Sequence, residues 1–175
     1  MSPSVEKPYE HPAASSPEDL WAECQVRRLR RSGPGGQHRN KVETAVSLCH
    51  LPSSVRAEAS ERRSQAQNRS QALWRLRVNL ALEVRQTCGP DYTPSALWCR
   101  RCGSGPLKVS GTHEDFPALL AEALDVLAAC EADPKVSAEM LNCSPSQLVR
   151  LLKVDARALA WVNRWRADRN LHPLR

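Results

Sequence analysis

A short glycine-rich segment has the residue types and the spacing that chemistry on a polyanionic ligand requires. Three of the seven glycines fall within four positions, at 33, 35 and 36. Glycine has no Cβ, so Gly35 and Gly36 can adopt positive φ and bring their backbone against a ligand. The uncharged tip ends at Gln37, and the cations on its two sides can hold phosphates; they are Arg30, Arg31, Arg39 and Lys41. An ordinary glycine-rich hairpin is the alternative, and the neutral tip between cationic flanks argues against it.

Other catalytic signatures are missing from the sequence. The spacing of a Walker loop or of a dinucleotide fingerprint is absent, as are GxSxG, HExxH and a paired-carboxylate arrangement. If the chain is an enzyme, its main chemical group is therefore a backbone N–H at this loop. Such a donor stabilises a developing oxyanion when it is held in a dry, preorganised site.

The elements around the segment follow from hydrophobic periodicity. Residues 23–31 and 42–51 alternate between apolar and polar side chains, which predicts two strands with one wet face, and a short third strand is predicted near 55–59. Residues 61–85 have a helical pattern, with leucines at 73, 76 and 80. The glycine-rich segment is thus the connection between the first two strands.

The sequence from 32 to 40, SGPGGQHRN, resembles the GGQ motif of bacterial class I peptide chain release factors and their ribosome-rescue relatives. Further blocks follow at that family's spacing: Ala45-Val46, His50-Leu51-Pro52, Arg63-Ser64-Gln65, Asn68-Arg69 and Ala72-Leu73. The resemblance covers roughly residues 20–85, the whole catalytic domain of the family. The departures are Arg39 in place of Val, Ser53-Ser54 in place of Thr-Gly, and Arg62 in place of Glu.

The resemblance implies an activity, a substrate and a partner. In the proteins that this chain resembles, the loop enters the peptidyl transferase centre of the large ribosomal subunit, beside the CCA end of the P-site tRNA. The reaction is hydrolysis of the peptidyl-tRNA ester, a carboxylic ester, without a cofactor. On that pattern Gly35, Gly36 and Gln37 are catalytic: the Gln37 N–H stabilises the transition state and its side chain admits water. Gln37 is also the expected target of a glutamine methyltransferase.

The RNA-binding residues are expected on the loop and at the start of the long helix. Three of them, Arg62, Gln65 and Arg69, have the spacing i, i+3 and i+7 of one helix face, and a solvated polar face is the alternative. The complete expected set is Arg30, Arg31, His38, Arg39, Asn40, Lys41, Arg62, Arg63, Gln65 and Arg69.

The distribution of charge agrees with a polyanionic partner. The formal net charge of the chain is +6, and residues 21–110 alone carry +10. Residues 1–20 carry −3 and residues 111–175 carry −1. Nucleic acid is the leading candidate for a partner of such a basic segment, and a solvated arginine-rich surface is the alternative.

The predicted fold class is α+β. A small GGQ catalytic domain, made of a few-stranded antiparallel sheet and a long helix, is followed by an all-helical extension. The boundaries are a disordered leader at 1–20, the GGQ domain at 21–87, a linker at 88–112 and the extension at 113–175. The extension is expected to contain an amphipathic helix over 116–130, a helix over 145–152 and a final helix over 156–169. Trp161 and Trp165 of the final helix are expected in the hydrophobic core, and a base-stacking platform is the alternative.

Only about twenty residues precede the first strand, so a stop-codon recognition domain has no evident place. We therefore expect codon-independent release, as in the rescue of stalled ribosomes, in the cytoplasm. No secretory signal and no transmembrane stretch is visible, and no membrane partner is expected. The helical, nearly neutral C-terminal third differs from the basic tails of rescue relatives.

Two alternatives remain at this stage. A non-catalytic RNA- or ribosome-binding module is one, with a helix-turn-helix pattern over 136–152; DNA is not expected, because 145–152 has Arg150 as its only basic residue. A zinc site at Cys99 and Cys102, with Cys88 and His113, is the other. It lacks a second CxxC, so free thiols and no metal are expected for the seven cysteines.

Overall fold

The computed structural model describes residues 10–29, 44–89, 91–102, 105 and 107–175. This part of the chain begins with a 3₁₀ turn, Pro12–Ala14, and helix α1, Pro17–Ala22. Three strands follow: β1 Cys24–Leu29, β2 Ala45–His50 and β3 Arg56–Ala59. Six further helices follow: α2 Gln65–Glu83, α3 Ala96–Cys102, α4 Phe116–Ala129, α5 Pro134–Met140, α6 Pro145–Val154 and α7 Ala156–Ala167. The predicted α+β class, with an antiparallel sheet, a long helix and a helical extension, is confirmed.

The three strands form an antiparallel sheet in the order β1-β2-β3. Alternate residues of β2 and β3 face the core, so Val46, Leu48 and Ala59 are buried. In the register of β1 and β2, Cys24 pairs with His50 and Leu29 pairs with Ala45. The two ends of the connection between β1 and β2 therefore lie opposite each other at one end of the sheet.

The turn from β2 to β3 lies at the other end of the sheet. The His50 N–H donates to the Val55 carbonyl at 2.9 Å, and the Ser54 N–H donates to the His50 carbonyl at 2.7 Å. The turn requires a φ of 61° at Ser54, in the left-handed region that favours glycine. This explains why a Gly at this position belongs to the release-factor pattern and shows that Ser54 departs from it at some cost.

Helix α2 is the central support of the sheet. It packs on β2 and β3 with one side and on α4 with another, and its predicted core residues Leu73, Leu76 and Leu80 are buried. The helix begins at Gln65 and not at 61, because the Ser64 hydroxyl caps it by accepting from the Gln67 N–H at 3.4 Å. Arg62 therefore precedes the helix, and the prediction that it shares a helix face with Gln65 and Arg69 is wrong.

Helix α4 lies at the centre of the extension, and the expected amphipathic character is wrong because residues 116–127 are all buried. Its two acidic side chains have partners from the preceding segment. The Tyr92 O–H donates to Glu122 at 2.6 Å, and Arg85 donates to Asp125 at 3.1 Å. Buried carboxylates require such donors, so these bonds fix the segment between α2 and α3 on α4.

The region predicted as a linker, 88–112, is packed against the extension. Trp98 of α3 is fully buried, and its indole N–H donates to the Leu141 carbonyl at 2.7 Å. One hydrophobic core extends from Leu20 through α2 and α4 to Val162 of α7. The helical extension and the sheet therefore stabilise each other through a shared core.

The disorder predicted for 1–20 is wrong for residues 10–20, and residues 1–9 lie outside the described part of the chain. The Ala13 N–H donates to His11 Nδ1 at 3.0 Å, and Arg77 donates to the Ala13 carbonyl at 2.9 Å. Ala13 and Leu20 are fully buried. Proline and serine, which indicated disorder by composition, act here as helix-start residues, with Ser16 as the cap of α1.

Among the helices that the structure describes, none is both long enough and apolar enough to cross a membrane.

The left-handed residue at the turn gives a stability prediction. Ser54→Gly should raise the free energy of unfolding by about 1 kcal/mol, since a side chain in this region costs about that much. Urea unfolding followed by circular dichroism measures the change. The matched control is Ser60→Gly, at a position without positive φ, where glycine should destabilise the protein through the entropy of the unfolded chain. Equal effects at the two positions would contradict the assignment of strain to Ser54.

Candidate functional site

The candidate site is the connection between β1 and β2, and the described residues show how its base is held. Leu29 and Ala45, which flank residues 30–44, are partners in the antiparallel ladder. The expected catalytic residues Gly35, Gly36 and Gln37 lie outside the described residues, and so do Arg30, Arg31, His38, Arg39, Asn40 and Lys41. Their roles therefore stay predictions.

A single buried amide holds the chain where it returns from this connection. Asn68 of α2 is fully buried. Its Nδ2 donates to the Thr44 carbonyl at 2.7 Å and to the Arg62 carbonyl at 2.8 Å. Its Oδ1 accepts from the Arg62 N–H at 2.9 Å. The two donors of the amide, and its acceptor, are thus used to join the start of β2 to the segment between β3 and α2.

A second set of hydrogen bonds, on the surface, holds the segment between β3 and α2 against α2. Arg75 of α2 donates to the Glu58 carbonyl at 2.8 Å and to the Glu61 carboxylate at 2.6 Å. The hydrogen bond from Arg75 lowers the pKa of Glu61, so this carboxylate is charged at neutral pH. Both side chains are well exposed, and the pair contributes to position more than to stability.

The expected RNA-binding residues of the described part lie on the surface beside this base. Arg62, Arg63 and Arg69 are exposed and Gln65 is half-buried. The guanidinium of Arg69 lies 3.9 Å from the centre of the Trp21 ring. Because the ring orients it, this cation is held in place by helix α1.

Three functional candidates were missed by reasoning from the sequence. Asn68 belongs to a recognised motif block, but its bond to Thr44 spans 24 positions and has no periodic signal. Arg27 and Arg28 are exposed on β1 immediately before the connection. The sequence could have indicated Arg27 and Arg28, because they lie next to Arg30 and Arg31 and extend the run of basic residues into β1.

The zinc alternative has no geometric support in the described part of the chain, where no group of three or more His, Cys, Asp or Glu is placed to hold a metal. The His113 ring and the Asp115 carboxylate instead accept from Arg101, at 2.9 and 2.8 Å. Burial raises the pKa of Cys102 to about 11 and that of Cys143 to about 12. These groups are protonated thiols at neutral pH, and all seven cysteines are free.

The two helices of the helix-turn-helix pattern are present as α5 and α6, joined through Asn142 at a φ of 50°. Leu148, Leu151 and Leu152 of α6 are buried against the rest of the extension. Helix α6 is therefore a packing element whose outward side carries Arg150 and Lys153.

The segment of the sequence that contains the site is similar to known proteins. The family sequence model of the RF-1 domain matches residues 20–90. Peptide chain release factor 1 of Symbiobacterium thermophilum is 48% identical over 65 residues, which are 37% of this chain and 17% of that protein. Peptide chain release factor 1 of Leptothrix cholodnii is 45% identical over 65 residues, 37% of this chain and 18% of that protein. The chain thus matches less than a fifth of the length of each of these relatives. Residues 20–90, which include the tethered connection, therefore match an RF-1 domain and are similar to part of peptide chain release factor 1.

Proposed function

We propose that this chain hydrolyses the ester of peptidyl-tRNA in the P site of the ribosome and so releases the peptide. The observation that carries the proposal is the position of Gly35, Gly36 and Gln37. They lie in the connection between β1 and β2, inside the RF-1 domain match. The relatives that share this segment are named as peptide chain release factors.

In the proposed reaction a water molecule attacks the carbonyl carbon of the ester. The bond from that carbon to the ribose oxygen breaks, and the ribose oxygen takes one proton of the water. The second proton passes to solvent, which leaves a peptide carboxylate and a free tRNA. The backbone N–H of Gln37 donates to the oxyanion of the transition state, where a preorganised donor has the largest effect. Gly35 and Gly36 allow the approach because they have no Cβ, and the Gln37 side chain admits water.

The described residues supply the frame that this mechanism requires. The β1–β2 pairing and Asn68 fix the two points between which the connection runs. The exposed cations around the base, which include Arg27, Arg28, Arg62 and Arg63, would contact the RNA backbone. Gln65 and Arg69 lie beside them, and Arg69 would hold phosphates from its position on Trp21.

We propose further that release does not require a stop codon, as in the rescue of stalled ribosomes in the cytoplasm. The support is that the similarity to each relative is confined to a segment of 65 residues. Helix α4, which follows this segment, packs directly on α2, and the later helices α5, α6 and α7 contact α4. Methylation of the Gln37 side chain by a glutamine methyltransferase belongs to the same proposal.

Release from ribosomes tests the proposed reaction. Ribosomes with labelled peptidyl-tRNA in the P site and no codon in the A site should lose their peptide when the wild-type chain is added. Gly36→Ala should slow release by about 100-fold, because a displacement of about 1 Å at the reacting group has that effect. Gln37→Ala should also reduce release. The matched control is Gly89→Ala, since a Cβ at Gly89 has no atom within 4 Å, and it should leave the rate unchanged.

The same assay separates the catalytic from the non-catalytic alternative. Arg62 and Arg63 are exposed, and they would contact RNA whether or not the loop hydrolyses the ester. Co-sedimentation with ribosomes measures binding independently of release. Binding by the wild-type chain without release, with and without a stop codon, would contradict the proposed hydrolysis and favour a binding module.

The tether at Asn68 gives a second prediction. Asn68→Ala should lower the free energy of unfolding by about 2 kcal/mol, because the groups at Thr44 and Arg62 lose their partner. It should also slow release by about tenfold at a temperature where the variant is folded, because a tip whose base is loose reaches its reactive position less often. Urea unfolding and the release assay measure the two effects.

The control for this prediction is Asn79→Ala on the same helix. The Asn79 amide donates to the Arg56 carbonyl at 2.8 Å and accepts from Arg157 at 3.0 Å, near the other end of β3. This variant should be less stable and should release peptide at the wild-type rate. A folded Asn68→Ala variant with wild-type release would show that the tether does not position the loop.

A further inference from the structure

The C-terminal third is nearly neutral as a whole, but its charges are separated along the chain. Residues 111–144 have one lysine and seven acidic residues, a net charge of −6. Residues 145–175 have seven lysines and arginines and two acidic residues, a net charge of +5. Helices α6 and α7 and the residues after them are therefore a basic segment, separate in sequence from the basic segment at 21–110.

Helix α7 has one face in the core and one face in solvent. Ala158 and Val162 are fully buried. Arg157, Trp161 and Arg164 follow at spacings of four and three and are exposed, so they share the outward face. The expectation that both tryptophans are core residues is wrong for Trp161, of which 37% is exposed.

The exposed indole is held in place by its neighbours. The ring centres of Trp161 and Trp165 are 6.1 Å apart in an edge-to-face arrangement. The Arg164 guanidinium lies 5.8 Å from the centre of the Trp161 ring, and the half-buried Trp165 is itself 5.6 Å from the guanidinium of Arg85. Trp161 is thus an ordered aromatic platform with a cation beside it.

The cations of α6 and α7 differ in whether an acidic side chain pairs with them. Arg157 is paired with Asp155 at 2.8 Å. Arg150, Lys153 and Arg164 have no ion pair with an acidic side chain in the part of the chain that the structure describes. An apolar protein partner would need a broader exposed apolar surface, whereas one aromatic ring among unpaired cations is the pattern of sites that stack a base and hold its phosphates.

We propose that the outward face of α7 binds single-stranded RNA, with one base stacked on Trp161 and the adjacent phosphates held by Arg164 and neighbouring cations. This face is remote in sequence from the glycine-rich connection. Binding of RNA to it does not depend on whether the connection hydrolyses an ester.

The test uses the full chain and a twelve-nucleotide oligouridine with a 5′ fluorescein. Fluorescence anisotropy gives the dissociation constant at several salt concentrations. Trp161→Ala should weaken binding by about five- to tenfold, the effect of losing one stacked base. Arg164→Glu should weaken binding and reduce the slope of log affinity against log salt by about one.

Two further variants separate the proposed contact from general effects of charge and folding. Lys135→Glu makes the same change of charge as Arg164→Glu, but at an exposed residue of the acidic segment, and should leave the affinity within about twofold. Trp161→Phe preserves a ring in the packing with Trp165 and should reduce the quenching of tryptophan emission by unlabelled oligouridine. Circular dichroism confirms that each variant is folded.

Equal affinity of folded Trp161→Ala, Arg164→Glu and wild-type chains for the RNA would overturn the proposal. So would tryptophan quenching that is unchanged in Trp161→Phe. Failure of the proposed hydrolysis is a separate result, because it is detected in the release assay as the absence of peptide release by the wild-type chain.

Discussion

The amide of Asn68 is the contact on which the candidate site depends. It lies in the core, where an unpaired amide is costly, and its three hydrogen bonds join two segments that are distant in sequence, at Thr44 and Arg62. The strand pair would by itself restrain only the ends of β1 and β2. The amide adds direct bonds from α2 to the start of β2 and to the segment before α2.

That contact in turn requires α2 to be held from both sides. The sheet covers one side of the helix, and the buried helix α4 covers another. Glu122 and Asp125 of α4 bind the segment that follows α2, while the 3₁₀ turn near the N-terminus binds Arg77 of α2. The helical extension therefore contributes to the site as the support of the helix that carries Asn68.

Local patterns predicted most of the elements, because alternation and helical periodicity report which side of an element is buried. They failed where a distant partner changes the meaning of a residue. Glu122 and Asp125 indicated a wet face on α4, but Tyr92 and Arg85 pair with them in the core. The residues around His11 had a composition typical of disorder and are ordered by capping and burial. Asn68 was recognisable only as part of a motif, since its partner Thr44 lies across the fold.

The most direct test of the account is to image the full chain on its substrate. Ribosomes would carry a P-site tRNA whose peptide is joined by an amide in place of the ester, so that the complex persists for electron cryo-microscopy. Density for Gly35, Gly36 and Gln37 is expected beside the amide carbonyl, with the backbone N–H of Gln37 directed at its oxygen. A chain bound with the connection between β1 and β2 away from the tRNA end would contradict it.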